Sequence, residues 1–412
     1  MSTSAIKKPV PPFSEHVRYW PLDRSVVFLN HGSFGASPIP VLEHQRELLD
    51  LLERNPMAYM IDHLERLIDE SRNALGSFLN TQPESLVFVR NATEGVNAVV
   101  RSLRLEAGDE LLTSRHEYNA CNNALDFVAE RAGAKVVGVE IGLPVPSDDE
   151  IVQSFLDAVT ERTKLVMLSW VTSNSAAIFP IPRLVQAFEE KGIPVLVDAA
   201  HAPGMISVDL NTLNASFVAG NCHKWICAPK GAAFLSVRED WRDQIFPTVV
   251  SHGLNTPRQG RSRYHDLFDW MGTDGYTAAL SIGKAIEFMR TRVSGGWDGV
   301  RSQNHELACR AGDMLTQRFQ AVPTCENERR GSLAGCILPT IKGKDTARAL
   351  QATLRLNHKI EVPIMPWSEE GIVLRISAQL YNAFEQYEYL ADVLEQILKD
   401  GVDLSMAEKK KL

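Results

Sequence analysis

One lysine, Lys224, stands in a markedly apolar stretch of the sequence. It is followed by apolar residues at 225–228, and strand-like apolar runs flank the stretch at 215–219 and 232–237. Such surroundings are expected to desolvate the ammonium group and to lower its pKa. A neutral amine at pH 7 is what Schiff-base chemistry with a carbonyl compound requires. Taken by itself, the stretch could also place a surface lysine on a hairpin.

An acidic residue, Asp198, follows a continuously apolar run upstream of this lysine. The run 193–197 is typical of a parallel strand covered on both faces. Asp198 then falls at the carboxyl end of the strand, where open α/β sheets bind ligands. A carboxylate beside an apolar core needs a cationic or hydrogen-bonding partner. The protonated ring nitrogen of pyridoxal 5'-phosphate (PLP) would serve, and PLP enzymes need this pairing of an acid with a lysine.

The segments around these two residues resemble the class V aminotransferase family, which has fold type I of the PLP enzymes. The resemblance rests on residues 197–204, 223–225 and 229–231, and it spans most of the chain. Within the family, the sequence is most similar to the isopenicillin N epimerase-like branch. The resemblance implies PLP bound as a Schiff base on Lys224, with Asp198 beside the ring nitrogen.

Two histidines accompany this pair of residues. His201 lies three residues after Asp198, and we expect it to be catalytic and to donate to the cofactor's phenolate oxygen or to the substrate. His223 precedes Lys224 and is expected to reach the phosphate.

A predicted strand at 84–90 runs into a turn that opens a helix. A threonine hydroxyl and free N–H groups at a helix N-terminus form an anion site. The turn resembles the family's phosphate-binding turn, so we expect Ala92, Thr93 and Glu94 to bind the cofactor through their N–H groups. The alternative is simple N-capping of the helix.

The family stacks an aromatic side chain on the pyridine ring, often the histidine of a Glu-His-x-Ala motif. Here Glu117 and Ala120 match the motif, and the stacking position falls on Tyr118. Tyr118 could stack through its ring and present its hydroxyl to the substrate, which makes it a catalytic candidate as well. His116 competes for the stacking role.

Two more cofactor contacts are implied by the resemblance. Ser173 is expected to face the cofactor, although the segment after it departs from the Thr-Gly pair common in relatives. Thr273, in the segment 269–273, corresponds to a Gly-Thr segment that contacts the phosphate across a dimer interface. This implies a homodimer with shared active sites, whereas the alternative is a surface loop.

Substrate binding is expected at two places. The loop 30–38 lies at the substrate end of the site in the family, which makes Asn30 and His31 candidates, and a plain strand-to-helix turn is the alternative. Arg375 interrupts an apolar strand. A buried guanidinium needs an anion, and the α-carboxylate of an amino-acid substrate fits its two-pronged geometry.

Strand–helix alternation from residue 84 to residue 237 predicts βαβ units and a mostly parallel sheet. We therefore predict an α/β fold of PLP fold type I, with a seven-stranded-type sheet and a smaller α+β domain. The predicted divisions are an N-terminal arm (1–27), a PLP-binding large domain (28–290) and a small C-terminal domain (291–412).

Composition limits the partners and the compartment. The net charge of −8 argues against nucleic acid as the main partner. The six cysteines form no CxxC pair and are typical of reduced thiols in a cytoplasmic enzyme. No apolar run reaches membrane-spanning length, and we expect neither a membrane partner nor a metal site. The expected partner is a small amino-acid substrate.

The reaction is less well determined than the cofactor. PLP stabilises a carbanion at the substrate's α-carbon, and Lys224 is the natural base for the α-proton. No cysteine lies between Lys359 and Arg375, where desulfurases of the family carry one, which argues against desulfuration. We predict an isopenicillin N epimerase-like enzyme acting on an amino acid or an amino-acid-bearing molecule, with a C–S lyase or an aminotransferase as alternatives.

Two other classes of protein fit the sequence less well. A binding or regulatory protein with this fold and no catalysis would be expected to lack Lys224, Asp198 or Arg375, and all three are present. A nucleotide-binding α/β enzyme would carry a glycine-rich phosphate motif after a strand, and the sequence has none.

Overall fold

The computed structural model describes residues 10–338, 341–368 and 371–410. Residues 1–9 of the predicted arm and residues 411–412 of the predicted small domain lie outside these ranges. The strands are β1 (Val27–Phe28), β2 (Leu86–Val89), β3 (Glu110–Ser114), β4 (Lys135–Val139), β5 (Thr163–Ser169), β6 (Val195–Ala199), β7 (Phe217–Asn221), β8 (Ala233–Val237), β9 (Val322–Pro323), β10 (Leu333–Leu338), β11 (Ile360–Glu361), β12 (Ile364–Ser368) and β13 (Gly371–Ser377).

The α-helices of the same ranges alternate with these strands in the first two thirds of the chain. They are α1 (His31–Phe34), α2 (Ile39–Arg54), α3 (Pro56–Ala58), α4 (Leu64–Leu79), α5 (Ala92–Ser102), α6 (Asn119–Ala132), α7 (Asp148–Asp157), α8 (Ile181–Glu189), α9 (Leu210–Leu213), α10 (Arg263–Phe268), α11 (Thr277–Leu280), α12 (Ile282–Arg290), α13 (Gly296–Phe319), α14 (Lys344–His358) and α15 (Phe384–Asp400). No helix of the described residues is both long enough and apolar enough to cross a bilayer.

A seven-stranded sheet forms the centre of the fold, in the order β2-β8-β7-β6-β5-β3-β4. Strands β4, β3, β5, β6 and β7 run parallel, whereas β8 is antiparallel to both of its neighbours. Helices connect the successive parallel strands, because a parallel pair cannot be joined by a tight hairpin. The predicted α/β fold with a mostly parallel sheet is confirmed.

The central strands are buried on both faces, which explains their uninterrupted apolar sequences. Val195 and Val197 of β6 pack into one hydrophobic core, while Leu196 between them packs into a second core. Successive side chains of a strand point to opposite faces of the sheet. Only a continuous apolar run can fill both cores, and in β6 this run stops at Asp198.

The carboxyl ends of β5, β6 and β7 meet at one edge of the sheet. Ser169 of β5 is the register partner of Asp198, and Asp198 is the partner of Ala219 in β7. Lys224 follows the end of β7 by three residues. The strand order therefore brings polar side chains to the edge where open α/β sheets bind ligands.

A smaller antiparallel sheet, in the order β12-β13-β10-β9, carries Arg375 in β13. Its apolar side chains pack with those of α13, α14 and α15 in a separate core. The short strand β1 pairs in parallel with β11, so residues 27 and 28 join the C-terminal part of the chain. The predicted domain divisions stay a prediction.

Arg72 of α4 is a buried arginine whose charge is neutralised inside the fold. Its guanidinium donates to Asp69 at 2.7 Å and to Asp269, which precedes the loop that carries Thr273. The side chains of Arg72 and Asp269 are only 2% and 3% exposed. Removing one partner of such a pair leaves the other charge buried without compensation.

Replacing Asp269 by alanine is expected to lower the free energy of unfolding by about 3–5 kcal/mol, because Arg72 would keep only the partly exposed Asp69. Urea denaturation of the full-length protein measures this change. Asp298→Ala is a matched control, since it removes a carboxylate that is 91% exposed in its pair with Arg301. The control should change stability by less than about 1 kcal/mol, and equal losses would contradict the prediction.

Candidate active site

The segment that carries Lys224 is a tight loop between the antiparallel strands β7 and β8. Hydrogen bonds close the loop on itself: the Cys227 N–H donates to the Lys224 carbonyl at 3.1 Å, and the Ala228 N–H donates to the Cys222 carbonyl at 3.0 Å. Cys227 has a φ of +65°, which is uncommon for a residue with a side chain. The loop therefore fixes the lysine backbone independently of the lysine side chain.

Two glycines let neighbouring backbone pack directly against this loop. A Cβ added at Gly35, where φ is +69°, would lie 1.9 Å from the carbonyl oxygen of His223. A Cβ added at Gly204, where φ is +88°, would lie 2.6 Å from the carbonyl carbon of Trp225. Glycine meets both demands, a left-handed backbone and a close approach. The backbone at Gly35 and the backbone at Gly204 thus both pack directly against the lysine loop.

Lys224 and His201 are in direct contact. The lysine Nζ lies 3.1 Å from His201 Nε2, and the indole N–H of Trp225 donates to His201 Nδ1 at 3.3 Å. Burial lowers the pKa of Lys224 to about 8, an effect that Asp198 opposes and Arg375 reinforces. Burial and the charge of Lys224 hold the pKa of His201 well below its usual range. The structure thus brings these two predicted catalytic residues together as weak bases.

Asp198 lies buried at the end of β6 and faces the same cavity as Lys224. Its hydrogen-bond partners among the described residues are neutral: the Ala200 N–H at 2.9 Å and the Cys121 thiol at 3.4 Å. Burial raises the pKa of Asp198, although the nearby charge of Lys224 opposes the shift. A cationic group entering the cavity would find a carboxylate that its neighbours only partly neutralise.

A second buried carboxyl group, Glu117, was not among the predicted site residues. It accepts hydrogen bonds from Ser114 at 3.1 Å and from Ser169, which lines the cavity. Burial raises the pKa of Glu117 to about 7, and the charge of Asp198 contributes. The Glu-x-x-Ala match could have drawn attention to it. Its proximity to Asp198 also depends on the strand order, which the sequence motif does not state.

The turn before α5 presents only part of the predicted anion site. The Ala92 N–H donates to the side-chain oxygen of Asn221 at 2.8 Å, and the Glu94 N–H donates to that of Asn91 at 2.9 Å. Thr93 lines the cavity, and neither its N–H nor its hydroxyl has a partner within the described ranges. N-capping thus uses the Glu94 N–H, and the structure leaves Thr93 with free donors for an anion.

His223 and Thr273, both predicted to contact the phosphate, are placed differently. His223 lines the cavity, and its Nδ1 donates to the Ala232 carbonyl at 3.1 Å. Burial lowers the pKa of His223 to about 4, with a contribution from Lys224. Thr273 is exposed and lies outside the cavity wall of its own chain.

Of the two candidates for ring stacking, Tyr118 lines the cavity and His116 does not. His116 is fully buried, with Nε2 at 2.9 Å from the Ile141 carbonyl and Nδ1 at 2.7 Å from the Ser175 hydroxyl. Its ring packs against Trp367, with ring centroids 4.7 Å apart. The structure therefore places Tyr118, whose side chain is half exposed, where a flat ligand could stack on it.

Arg375 is a buried guanidinium whose partners among the described residues are neutral oxygen atoms. It donates to the carbonyl and hydroxyl of Ser173, to the Ser33 hydroxyl at 3.2 Å and to the Asn30 side-chain oxygen at 3.3 Å. Its Nε has no hydrogen-bond partner in the part of the chain that the structure describes. Burial lowers the pKa of Arg375 to about 10. Ser33 and Ser173 line the cavity, so a guanidinium without an anionic partner in the described ranges lies directly behind the cavity wall.

His31, predicted to bind substrate, does not line the cavity. Its Nδ1 lies 2.8 Å from the Tyr381 hydroxyl, and its Nε2 lies 3.0 Å from the Lys224 carbonyl. A neutral imidazole has one N–H, so Nε2 donates to the carbonyl and Nδ1 accepts from the tyrosine. Burial lowers the pKa of His31 to about 3. In this arrangement His31 supports the backbone of Lys224, and no ring nitrogen is free for a substrate.

The cavity that joins these groups has a volume of about 780 Å³. Apolar side chains form the wall beside its polar groups: Phe34, Ile68, Phe88, Phe268, Met271 and Tyr276. A cavity of this size can hold a cofactor with a small substrate. Within the described ranges, no three His, Cys, Asp or Glu side chains are grouped so as to hold a metal ion.

Gly35→Ala is expected to displace the lysine loop, because the new Cβ would overlap the His223 carbonyl. The free energy of unfolding should fall by about 1–3 kcal/mol more than for Gly192→Ala. Gly192 is the matched control: its φ is +72°, and nothing lies within 4 Å of an added Cβ. Equal destabilisation in urea titrations would show that backbone strain, and not the close approach to the loop, sets the requirement for glycine.

Comparisons with known proteins identify relatives along nearly the whole chain. The sequence matches the family Aminotransferase class-V over residues 35–390. It is 31% identical to isopenicillin N epimerase of Amycolatopsis lactamdurans, covering 92% of this chain and 96% of that protein. It is 30% identical to a probable chloroplastic L-cysteine desulfhydrase of Arabidopsis thaliana, covering 94% of this chain and 85% of that protein.

Solved structures share the fold at lower identity. A C-DES mutant with glycine covalently linked to its PLP cofactor has a TM-score of 0.78 at 19% identity, covering 92% of this chain and 98% of that chain. The cysteine desulfurase CsdA of Escherichia coli has a TM-score of 0.77 at 20% identity, covering 93% and 98%. The chain therefore belongs to the class V aminotransferase family of PLP-dependent enzymes, as the sequence resemblance predicted.

Proposed function

We propose that this protein uses PLP to remove the α-proton of an amino acid or of an amino-acid-bearing molecule, in the manner of isopenicillin N epimerase. One observation carries the proposal. The buried amine of Lys224 lies 3.1 Å from His201 in a cavity that Asp198 also lines. The guanidinium of Arg375, which has no anionic partner among the described residues, lies behind the wall of this cavity. These are the groups needed to hold the cofactor and to orient an α-carboxylate.

The residues of the cavity fit PLP in their chemistry. The Asp198 carboxylate, with only neutral partners in the described residues, suits a protonated ring nitrogen. The free N–H and hydroxyl of Thr93 suit a phosphate, and the ring of Tyr118 suits an aromatic face. We assign cofactor contacts to Lys224, Asp198, His201, His223, Thr93, Tyr118 and Ser173, with Thr273 contributing across a dimer interface.

When bound, PLP supplies an electron sink for negative charge at the substrate's α-carbon. Lys224 then serves as the base, since its lowered pKa of about 8 leaves a useful neutral fraction near pH 7. Asp198 holds the ring nitrogen protonated. Arg375 receives the substrate carboxylate, which replaces neutral oxygen partners by a charged one and so strengthens the hydrogen bonds of the guanidinium.

The relatives favour a second candidate function, the cleavage of a C–S bond in cysteine or its conjugates. Proteins named L-cysteine desulfhydrase match this chain as well as isopenicillin N epimerases do, at 30% and 31% identity. Both reactions begin with loss of the α-proton. They differ in whether a proton returns on the opposite face, for which the Tyr118 hydroxyl is our candidate donor, or whether sulfur leaves. Transamination is the third outcome of the same first step.

We also infer a homodimer and a reducing compartment such as the cytoplasm. Thr273 is exposed and does not line the cavity of its own chain, and Phe34 on the cavity wall is 72% exposed. A second subunit would cover both. All six cysteines are free thiols, which supports a compartment that keeps them reduced.

Incubating the PLP-loaded enzyme with amino acids in deuterium oxide tests the proposed function. We expect deuterium at the α-carbon together with loss of stereochemical purity, read by mass spectrometry and chiral separation. Lys224→Ala should slow the exchange by about 10²–10⁴-fold, because the base is removed. Pyruvate, ammonia and a thiol from S-substituted cysteines would assign the enzyme as a C–S lyase. Exchange that survives in Lys224→Ala would contradict the lysine assignment.

Arg375→Leu is expected to raise the KM for the amino-acid substrate by about 10–100-fold, because charge-assisted hydrogen bonds to the carboxylate are lost. The Kd for PLP, from absorbance titration, should change far less. Arg330→Leu is the matched control: it removes another buried arginine, whose guanidinium donates to Asp313 at 2.8 Å. If both variants raise KM equally, the effect comes from losing a buried arginine and the proposed carboxylate contact is wrong.

A further inference from the structure

Trp225, the residue after Lys224, is in contact with His201 through its only polar atom. The side chain is 1% exposed. Its indole Nε1 lies 3.3 Å from His201 Nδ1, and its ring packs against His31 with ring centroids 4.9 Å apart. The indole N–H can donate a hydrogen bond but cannot accept one. His201 Nδ1 must therefore be the acceptor in this contact.

This contact determines which ring nitrogen of His201 carries the proton. A neutral imidazole has one N–H, and its other nitrogen is an acceptor. With Nδ1 accepting from Trp225, the proton is on Nε2. Burial holds the pKa of His201 well below its usual range, so the ring is neutral near pH 7, and the Nε2–H assignment applies wherever Lys224 is neutral as well.

The tautomer in turn constrains Lys224, whose Nζ is 3.1 Å from His201 Nε2. An Nε2–H donor needs an acceptor opposite it, and a lysine accepts a hydrogen bond only as a neutral amine. A lysine ammonium would need Nε2 as its acceptor, which would move the imidazole proton to Nδ1 and point it at the indole N–H. Two donors would then face each other in a buried place, at the cost of an unmade hydrogen bond.

We propose that Trp225 is a positioning residue that fixes His201 as the Nε2–H tautomer, so that His201 donates to the Lys224 amine and offers the cavity only a hydrogen-bond donor. His201 in this state cannot accept a substrate proton through the nitrogen that faces Lys224. The α-proton is then left to Lys224, a consequence that rests on the proposed function. The tautomer itself does not depend on the reaction.

Several other groups act on the charge of Lys224, and they come from different elements. Asp198 from β6 raises the pKa of Lys224, whereas Arg375 from β13 lowers it. Burial raises the pKa of the Cys121 thiol from α6 well above its usual range, so this thiol is uncharged near pH 7. The two remaining histidines near the lysine, His31 and His223, have lowered pKa values and are neutral near pH 7. Trp225 acts in a different way, because it carries no charge and determines which ring nitrogen of His201 donates a hydrogen bond.

The tautomer can be read directly from ¹⁵N NMR of the histidine ring nitrogens in the full-length protein, with the His201 signal assigned through His201→Gln. Above the pKa of about 8 of Lys224, where the amine is neutral, we expect the Nε2–H pattern in the unsubstituted protein and a mixture of tautomers in Trp225→Phe, which keeps an aromatic ring and loses the donor. Trp297→Phe is the matched control, because it loses an indole hydrogen bond of 3.2 Å to the Ile286 carbonyl. An Nδ1–H pattern in the unsubstituted protein at a pH where the Lys224 amine is neutral overturns the proposal without any variant having to fold.

A second measurement follows the Lys224 amine. Full-length protein freed of PLP is mixed with added PLP across pH 6–10, and its capture is followed by absorbance. Because capture needs the neutral amine, Trp225→Phe should move the midpoint to higher pH and slow capture at pH 7 by about three- to tenfold. Trp297→Phe should not. An unchanged midpoint together with a retained Nε2–H tautomer in Trp225→Phe overturns the proposal.

Failure of the proposal for Trp225 can be distinguished from failure of the proposed function. If Lys224→Ala captures PLP as fast as the unsubstituted protein, the lysine assignment fails. The NMR result on His201 keeps its meaning in that case, since it is obtained without cofactor or substrate.

Discussion

Desolvation of the Lys224 amine is the constraint on which the rest of the site depends. Removing an ammonium group from water disfavours its charged form, and the residues after Lys224 are almost completely buried. The same low polarity acts on the neighbours. It raises the pKa values of Asp198 and Glu117 and lowers that of His201. The site is thus a group of ionisable side chains held close to neutrality.

Arg375 is the exception, because a guanidinium stays charged even when burial lowers its pKa to about 10. Its partners are neutral oxygen atoms from Ser173, Ser33 and Asn30. Within the described ranges, this guanidinium therefore has no anionic hydrogen-bond partner. Burying a cation with only neutral acceptors costs stability, and an anionic substrate would recover part of that cost. Binding of an anionic substrate would thus also neutralise the charge of Arg375.

Much of this arrangement could be predicted from the sequence, because it depends on local patterns. The apolar run 193–197 predicted a strand covered on both faces, and strand–helix alternation predicted the parallel sheet. Parallel strands bring their carboxyl ends to one edge, so Asp198 and the lysine loop could be expected to meet. Thr93 and Tyr118 followed from a turn and from a motif, each contained within a few neighbouring residues.

The rest could not be predicted, because it depends on partners far apart in the chain. His31 looked like a substrate ligand, but contacts with Tyr381 and with the Lys224 carbonyl occupy both of its nitrogens. The Ala92 N–H looked free, but Asn221 accepts from it across the sheet. Trp225 was visible as a neighbour of the lysine, whereas its hydrogen bond to His201 requires the exact turn of the loop.

The pairing of β1 with β11 has a consequence for how the protein is made. The loop that clamps Lys224 lies just after β1, while its anchors, Ser377 and Tyr381, are about 350 residues away. A ribosome releases the N-terminal end long before these anchors exist. The growing chain can build the central sheet while the support of Lys224 by His31 is still missing. The support of the Lys224 backbone is therefore completed only when nearly the whole chain has been synthesised.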